Sequence, residues 1–172
     1  INKRDGIVRN LGTGNRTQDR DRWFMRGQML FEPDKTLSVR LIGDYGKIDE
    51  KCCGVVNLRA GPTMAIITSP LIGGNVNPAS DPFGNVVYTN FDSTNKIKNY
   101  GLSGQIDWDA GPFKVTSITA WRKSKSASDF DSDFSSADLL RGANIGEVGI
   151  RTFTQELRLT GEFGDKLDFL LG

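Results

Sequence analysis

The chain has 172 residues, of which 22 are basic and 21 acidic, and its formal net charge is +1. This balance excludes the strongly basic surface of nucleic-acid-binding proteins, so no nucleic-acid partner is expected. No run approaches the roughly 18 consecutive apolar residues of a membrane-spanning helix, and the 20 glycines favour a turn-rich β protein.

The first strands are predicted after a polar opening segment, residues 1–20. Apolar and polar side chains alternate from Arg22 to Glu32, and a period of two places them on opposite faces of a strand. A short turn at Glu32-Pro33-Asp34-Lys35 leads into a second alternating segment, Leu37 to Lys47. These segments predict a hairpin with one apolar and one polar face.

The connection from about residue 48 to residue 97 is polar and rich in Pro, Gly and Asn, with no sustained period. An unstructured loop of about 50 residues is implausible inside a compact soluble domain. Large outer-membrane barrels, in contrast, carry long extracellular loops. We therefore expect this segment to be an irregular outer loop.

The clearest strand is Asn99 to Trp108. Its even positions include Tyr100, Leu102, Ile106 and Trp108, whereas its odd positions are small or polar. Membrane-spanning strands of about 9–11 residues carry an apolar band between aromatic girdles, and this order matches that pattern. A soluble sandwich also has one apolar face, so the alternation by itself leaves both architectures open.

Three strand segments follow this one. They are Phe113 to about Arg122, whose apolar face the pattern does not decide, then Arg151 to Thr160, and an alternation that begins at Leu167. Short turns alternate with long connections along the chain, as in bacterial outer-membrane barrels with short periplasmic turns and longer outer loops. We expect the turns near Asp34, Gly111 and Asp165 in the periplasm.

The predicted fold is all-β: an antiparallel meander of about five to six strands that is part of a large transmembrane β-barrel. So few strands cannot close, because the smallest such barrels have about eight. Open edges in lipid would leave backbone groups unpaired, at several kcal/mol each, so absent strands must complete the ring. Both ends of the chain have the character of internal positions in a longer protein, and residues 1–172 are expected to be an interior segment of one barrel domain.

Six short sequence segments resemble those of a known family. They are Arg20-Asp21-Arg22, Leu37-Ser38-Val39-Arg40-Leu41-Ile42-Gly43-Asp44-Tyr45, Asp49-Glu50-Lys51-Cys52-Cys53-Gly54, Gly104-Gln105-Ile106-Asp107-Trp108, Thr116-Ser117-Ile118-Thr119-Ala120-Trp121-Arg122 and Phe153-Thr154-Gln155-Glu156-Leu157-Arg158-Leu159. Together they resemble the barrel region of TonB-dependent outer-membrane receptors, over nearly the whole chain.

The resemblance implies a barrel of about 22 strands with an N-terminal plug domain. It also implies energy coupling through TonB and a location in the bacterial outer membrane. The implied partners are outer-membrane lipid, the protein's own plug domain, TonB and a small-molecule nutrient. A siderophore, haem, cobalamin or an oligosaccharide would be such a nutrient, and the sequence does not choose among them.

Two sets of side chains follow from the alternation. The polar set is expected to face the lumen and to pair across strands or grip the plug: Arg26, Gln28, Arg40, Asp44, Gln105, Asp107, Glu156 and Arg158. The aromatic set could stack on sugars or bases, but anchoring at the membrane interfaces is favoured: Trp23, Tyr45, Tyr100, Trp108 and Trp121.

No enzyme activity, catalytic residue, metal or cofactor is expected. The chain has no histidine, which excludes Ser–His–Asp and Cys–His triads and any His-containing metal site within it. Asp129, Asp131 and Asp133 have the spacing of the first ligands of a calcium loop. An EF-hand would need Gly where Phe134 stands and Glu where Leu140 stands. A solvated acidic loop is therefore the favoured interpretation.

The only two cysteines, Cys52 and Cys53, are adjacent. An envelope protein passes through an oxidising periplasm, so a disulfide is expected. Pairing with each other and pairing with cysteines outside this segment both remain open.

The leading functional hypothesis is a segment of an energy-coupled outer-membrane importer. A passive, porin-like outer-membrane channel is one alternative, and it would lack an upstream plug. A soluble, secreted β-sandwich binding module is the other, and it would cover the apolar face with a second layer.

Overall fold

The computed structural model describes residues 1–78, 80–140, 144–164 and 166–172, and most of the regular structure is β. Its strands are β1 (Asn2–Arg4), β2 (Val8–Asn10), β3 (Arg16–Thr17), β4 (Arg20–Phe31), β5 (Leu37–Lys51), β6 (Val86–Val87), β7 (Thr94–Asp109), β8 (Phe113–Asp129), β9 (Ile145–Phe163) and β10 (Leu167–Leu171). Within the described ranges there is one short helix, α1 (Pro62–Ile67).

Seven strands form one antiparallel sheet in the order β1-β4-β5-β7-β8-β9-β10. The predicted all-β fold is therefore confirmed. The sheet has more strands than the five to six expected, because β1 adds an edge strand in the polar opening segment. Asn2 lies opposite Arg22 and Lys3 opposite Asp21. A polar strand of three residues shows no apolar–polar alternation in the sequence. It can be recognised only from its pairing with β4.

A second, three-stranded sheet has the order β3-β2-β6. In it β2 pairs antiparallel with β3 and parallel with β6, where Asn10 lies opposite Val87. The expectation of an irregular loop over residues 48–97 is therefore wrong in part. The segment contains α1 and β6, and these elements are too short to carry a detectable period. Pro62 begins α1, where its fixed φ suits the first turn.

The long strands extend past their predicted ends. Strand β8 continues from Arg122 to Asp129, β5 ends at Lys51, and β7 already begins at Thr94. The extension of β8 consists of Lys, Ser, Ala and Asp, so no apolar side appears in the sequence. Backbone pairing needs only a neighbouring strand, so a strand persists where the amphipathic pattern has ended.

Two short turns lie where the sequence predicts them. Asp34 Oδ1 accepts hydrogen bonds from the backbone N–H groups of Thr36 (2.7 Å) and Leu37 (3.1 Å). Asp109 Oδ1 accepts one from the N–H of Gly111 (3.0 Å), which has a φ of +86°. Such Asx turns satisfy backbone donors locally. The third predicted turn falls on Asp165, which lies outside the described residues.

The chain divides into two compact units. Unit 1 comprises Ile1–Trp23, Lys47–Ile97 and Ser126–Val148, and unit 2 comprises Phe24–Gly46, Lys98–Lys125 and Gly149–Gly172. Unit 1 contains the second sheet, α1 and the two buried apolar side chains, Ile67 and Val87. Among the described residues of unit 2, no apolar side chain is fully buried. This unit therefore has no core of its own.

The second sheet depends on a close backbone approach at Gly12. The side-chain oxygen of Asn10 accepts hydrogen bonds from the N–H groups of Gly12 and Thr89, both at 3.0 Å. A Cβ atom on Gly12 would overlap the carbonyl oxygen of Thr89.

We expect Gly12→Ala to destabilise unit 1 by about 1–3 kcal/mol, because the backbone must move apart to admit the methyl group. The measurement is the amide hydrogen-exchange rate of β2 and β6. Gly61→Ala is the matched control, since a Cβ there would have open space around it. Equal exchange rates in the two variants would contradict the assigned packing.

Candidate functional site

An aromatic row crosses three strands of unit 2 on one face of the sheet, which we call the apolar face. The rings of Tyr45 and Tyr100 stack with their centroids 5.9 Å apart, and Trp121 meets Tyr100 edge-on at 5.8 Å. The sequence pattern left the orientation of β8 undecided, and this contact places Trp121 on the same face as Tyr100. Of the other expected interface aromatics, Trp108 lies at the far end of β7 and Trp23 near the start of β4.

Large apolar side chains on this face are not covered by other described parts of the chain. Leu102, Ile106 and Trp108 remain 67 %, 45 % and 50 % exposed. Met29 and Leu41 on the neighbouring strands are also exposed. Soluble monomers rarely expose a contiguous apolar surface of this kind, which marks a contact with lipid or with protein.

A shallow groove of about 610 Å³ runs across the apolar face. Its lining includes three glycines and four larger side chains: Gly27, Gly43, Gly104, Met29, Leu41, Leu102 and Trp121. A Cβ on Gly43 would lie 3.1 Å from Leu102 Cδ2, and one on Gly104 would lie 3.3 Å from Leu41 Cδ2. The groove therefore exists because glycines occupy positions where side chains would fill it.

The opposite, polar face carries the side chains that the sequence assigns to a lumen. Asp44 accepts a hydrogen bond from Arg122 at 2.6 Å. Asp107 accepts hydrogen bonds from Thr116 Oγ1 and Gln105 Nε2, each at 2.7 Å. These contacts join β5, β7 and β8 through side chains as well as through the backbone. The even positions of β8 therefore belong to the polar face.

The remaining predicted lumen residues have varied surroundings. Arg40 lies near enough to Asp107 for its charge to act on that carboxylate. Glu156 and Arg158 form an ion pair within β9. The side chains of Arg26 and Gln28 make no hydrogen bond or ion pair within the described part of the chain. The predicted cross-strand pairing thus applies to some of these side chains and leaves others available to a ligand or another domain.

One charged cluster in the structure is not among the predictions from the sequence. The carboxylate of Glu50 has only 3 % of its side-chain surface exposed, and it accepts hydrogen bonds from the guanidinium groups of Arg20 and Arg22. Arg22 lies on the polar side of its predicted strand, and Glu50 would continue the polar side that Arg40 and Asp44 define in the next strand. Because that strand is predicted to end at Lys47, Glu50 is not placed beside Arg22.

A polar network centred on Asn10 and Asp92 organises unit 1. Asn10 is 1 % exposed, and its amide group donates to Thr89 Oγ1 at 2.6 Å and to Asp92 Oδ1 at 3.3 Å. Asp92 also accepts hydrogen bonds from Thr13 Oγ1 (2.7 Å) and Lys51 Nζ (2.9 Å). One carboxylate thus connects the turn after β2, the end of β5 and the segment before β7.

The pKa of Asp92 lies below its ordinary value. Burial raises the pKa of this carboxyl, but hydrogen bonds from Lys51, Thr13, Asn15 and Asn10 stabilise the ionised form and together outweigh burial. The carboxylate is therefore ionised at neutral pH, as its contacts with donors require.

The acidic segment after β8 is not a solvated loop, and that expectation is wrong for Asp131. This side chain is 2 % exposed and accepts hydrogen bonds from the backbone N–H groups of Asp133 and Phe134, each at 3.1 Å. Asp133 in turn accepts hydrogen bonds from the N–H and the hydroxyl of Ser135. These carboxylates hold a turn together. Burial, and then the nearby charge of Asp133, raise the pKa of Asp131.

The two cysteines are bonded to each other, with an S–S distance of 2.12 Å. Cys53 has a φ of +70°, and the backbone N–H of Cys52 donates to the carbonyl of Ser93 at 3.0 Å. A Cβ on the following Gly54 would lie 3.1 Å from a methyl group of buried Val87. The disulfide thus lies within unit 1, directly after the last residue of β5.

The described residues contain no group of three or more His, Cys, Asp or Glu side chains arranged to hold a metal ion. No helix in the described part of the chain combines the length and the apolar character needed to cross a bilayer. Comparison with models of protein families, with curated proteins and with solved structures found no match for this chain.

We expect Asp92→Asn to lower the free energy of unfolding by about 1.5–3 kcal/mol at pH 7, because hydrogen bonds to a charged group are lost. The folded-state pKa of Asp92 is lowered, so its contribution is present above the unfolded pKa of about 3.9 and is lost as pH falls through the folded value. Denaturant unfolding of unit 1 from pH 7 down to pH 3 measures this.

The control is Asp5→Asn, which removes the charge of an exposed carboxylate in the same unit. The stability difference between wild type and Asp92→Asn should narrow on acidification, while Asp5→Asn should follow the wild type throughout. A difference that is constant from pH 7 to pH 3 would show that the charge of Asp92 plays no part.

Proposed function

We propose that this chain is a segment of the wall of an energy-coupled, TonB-dependent transporter in the bacterial outer membrane. Its outer loops would capture a scarce nutrient such as a siderophore, haem, cobalamin or an oligosaccharide. The step is non-covalent binding and passage, with no chemical reaction on the nutrient. The observation that carries the proposal is the two-sided sheet of unit 2, which has exposed apolar side chains on one face and hydrogen-bonded polar side chains on the other.

Lipid is the environment that suits this apolar face best. A sheet satisfies its interior backbone groups between strands, so its side chains can face hydrocarbon without unpaired N–H or C=O groups. The aromatic row of Tyr45, Tyr100 and Trp121 suits one boundary of such a band and Trp108 the other, because amphipathic rings favour the interfaces. A soluble β-sandwich would instead cover Leu102 with a second layer.

The polar face supports the second half of the proposal. The pairs Asp44–Arg122 and Asp107–Thr116 place charged and hydrogen-bonding groups where a barrel would have a hydrated interior. Arg26 and Gln28 would then be available to a plug domain. A passive channel would use a similar wall, and the family resemblance in the sequence favours the energy-coupled transporter.

Unit 1 is suited to nutrient capture at the outer surface. Its loops are held by the Asn10–Asp92 network, the Asp131 turn and the Cys52–Cys53 disulfide rather than by a large core. Binding groups are commonly carried on loops that a rigid scaffold positions. We therefore propose that nutrient contacts come from this unit and that the strands of unit 2 supply the wall.

The test is a charge placed on each face of β7 in the complete polypeptide. We expect Leu102→Arg to reduce folding into phosphatidylcholine vesicles by about 1–3 kcal/mol, because an Arg that faces lipid costs about 2–4 kcal/mol at the midplane of a barrel wall and less towards the interface, and Leu102 lies between the two. The measurement is the fraction of protease-resistant protein as a function of denaturant concentration.

Ser103→Arg is the matched control, since the same charge one residue along the strand points to the opposite face. It should fold into the vesicles with a cost below about 1 kcal/mol if that face is hydrated. Equal costs for the two variants, or a wild-type protein that is monomeric and well folded without detergent, would refute the membrane assignment.

A further inference from the structure

Beyond the aromatic row, the apolar face of unit 2 changes from aromatic to basic. The residues next along the strands on this face are Lys98 in β7, Lys123 and Lys125 in β8, and Arg151 in β9. Each lies on the same side of its strand as an aromatic residue of the apolar face, two or four positions away, because side chains alternate with a period of two. We call these four residues the basic patch.

The register of β7 and β8 places two lysines directly opposite each other. A Cβ on Gly101 would lie 3.4 Å from the Cα of Arg122, so these two residues are cross-strand neighbours. Strand β7 begins at Thr94 and β8 ends at Asp129, in the same register. Three residues outward from Gly101, Lys98 therefore lies opposite Lys125.

The register of β8 and β9 brings in the fourth cation. It is fixed by two pairs of neighbours, Thr119 with Gln155 and Ser128 with Gly146. Between those pairs, Arg151 lies opposite Lys123. The basic patch thus spans three adjacent strands.

None of the four residues forms an ion pair with another described residue. The nearest acidic residues further along the same side of the strands are Asp49 in β5, which pairs with Lys47 at 2.9 Å, and Asp129 and Glu147, which lie four positions beyond Lys125 and Arg151. Like charges directly opposite each other destabilise a pair of strands. A cluster that is unfavourable by itself becomes favourable when an anion binds between its members.

We propose that the basic patch binds the phosphate group of an anionic membrane lipid, with the acyl chain of that lipid in the groove lined by Gly27, Gly43 and Gly104. This rests on the proposed function, since the apolar face must lie in lipid. Charge complementarity selects the headgroup. The cations lie directly beyond the row of Tyr100 and Trp121. In the proposed membrane, this is the level at which lipid phosphate groups meet the hydrocarbon. The groove extends from the other side of that row.

Two separate features of the protein surface thus recognise the lipid. The cations select a negatively charged headgroup, and the groove accepts a chain because its glycines leave space between Leu41 and Leu102. Lysine binds phosphate oxygens through a single ammonium group, and arginine can donate two parallel N–H hydrogen bonds to them. A free phosphate ion would use only the first feature, and a neutral lipid only the second.

The experiment compares two double variants of the complete protein in uncharged detergent. Lys123→Gln with Lys125→Gln removes two charges from the basic patch, whereas Arg26→Gln with Lys114→Gln removes two charges from the polar face. The apparent Kd for phosphatidylglycerol is measured by native mass spectrometry, with phosphatidylcholine as the neutral reference. Each cation near an anionic lipid contributes roughly fivefold in binding, so the loss of two should weaken the binding of the patch variant about 10- to 30-fold.

The polar-face variant should stay within about twofold of the wild type, and inorganic phosphate at millimolar concentration should not displace the lipid. An equal loss in both variants would show non-specific attraction and would overturn the proposal, as would full displacement by inorganic phosphate. The patch variant should fold at least as stably as the wild type in the absence of anionic lipid, because the opposition of Lys98 and Lys125 is removed.

Insertion into pure phosphatidylcholine vesicles separates this inference from the proposed function. A wild-type protein that inserts but shows no preference for phosphatidylglycerol overturns the lipid site and leaves the membrane assignment intact. A wild-type protein that fails to insert overturns both.

Discussion

Unit 2 depends on backbone hydrogen bonding between long strands, because its described residues bury no apolar side chain completely. In most domains, packing of apolar side chains between layers supplies the main stabilisation. Here Leu102, Ile106 and Trp108 remain exposed, so the sheet needs an apolar medium or partner on that face. In the proposed membrane the requirement is met from outside the chain, since hydrocarbon surrounds the side chains and strand pairing satisfies the backbone.

Unit 1 is built by a different principle, in which buried and partly buried polar groups supplement the two buried apolar side chains, Ile67 and Val87. Asn10, Asp92 and Asp131 each accept hydrogen bonds from segments that would otherwise have no regular structure. Such networks are strong when every member is satisfied and costly when one is removed, so they hold loops in defined positions. This suits a unit whose proposed role is to present loops to a ligand.

The groove and the basic patch belong to one proposed surface, and both follow from the alternation of side chains along the same strands. On β7, the positions from Leu102 through Tyr100 to Lys98 pass from aliphatic to aromatic to basic on one face. Such an order matches the change from hydrocarbon to phosphate across a bilayer boundary. The opposite face of β7 carries Gln105 and Asp107 and has no corresponding gradient, which is why the two faces are proposed to meet different surroundings.

The sequence by itself determined the all-β class, the short turns at Asp34 and Gly111 and the two-faced character of β7, because period and turn chemistry are local properties of the chain. Only the tertiary structure decided the face of β8, through the contact of Trp121 with Tyr100, and the continuation of β8 to Asp129, where no amphipathic pattern remains. It also decided the bond between Cys52 and Cys53, which adjacency in the sequence left open. The contact of Asn10 with Asp92 joins residues 82 positions apart. No local pattern encodes such a contact, because it exists only once the strands between them have paired.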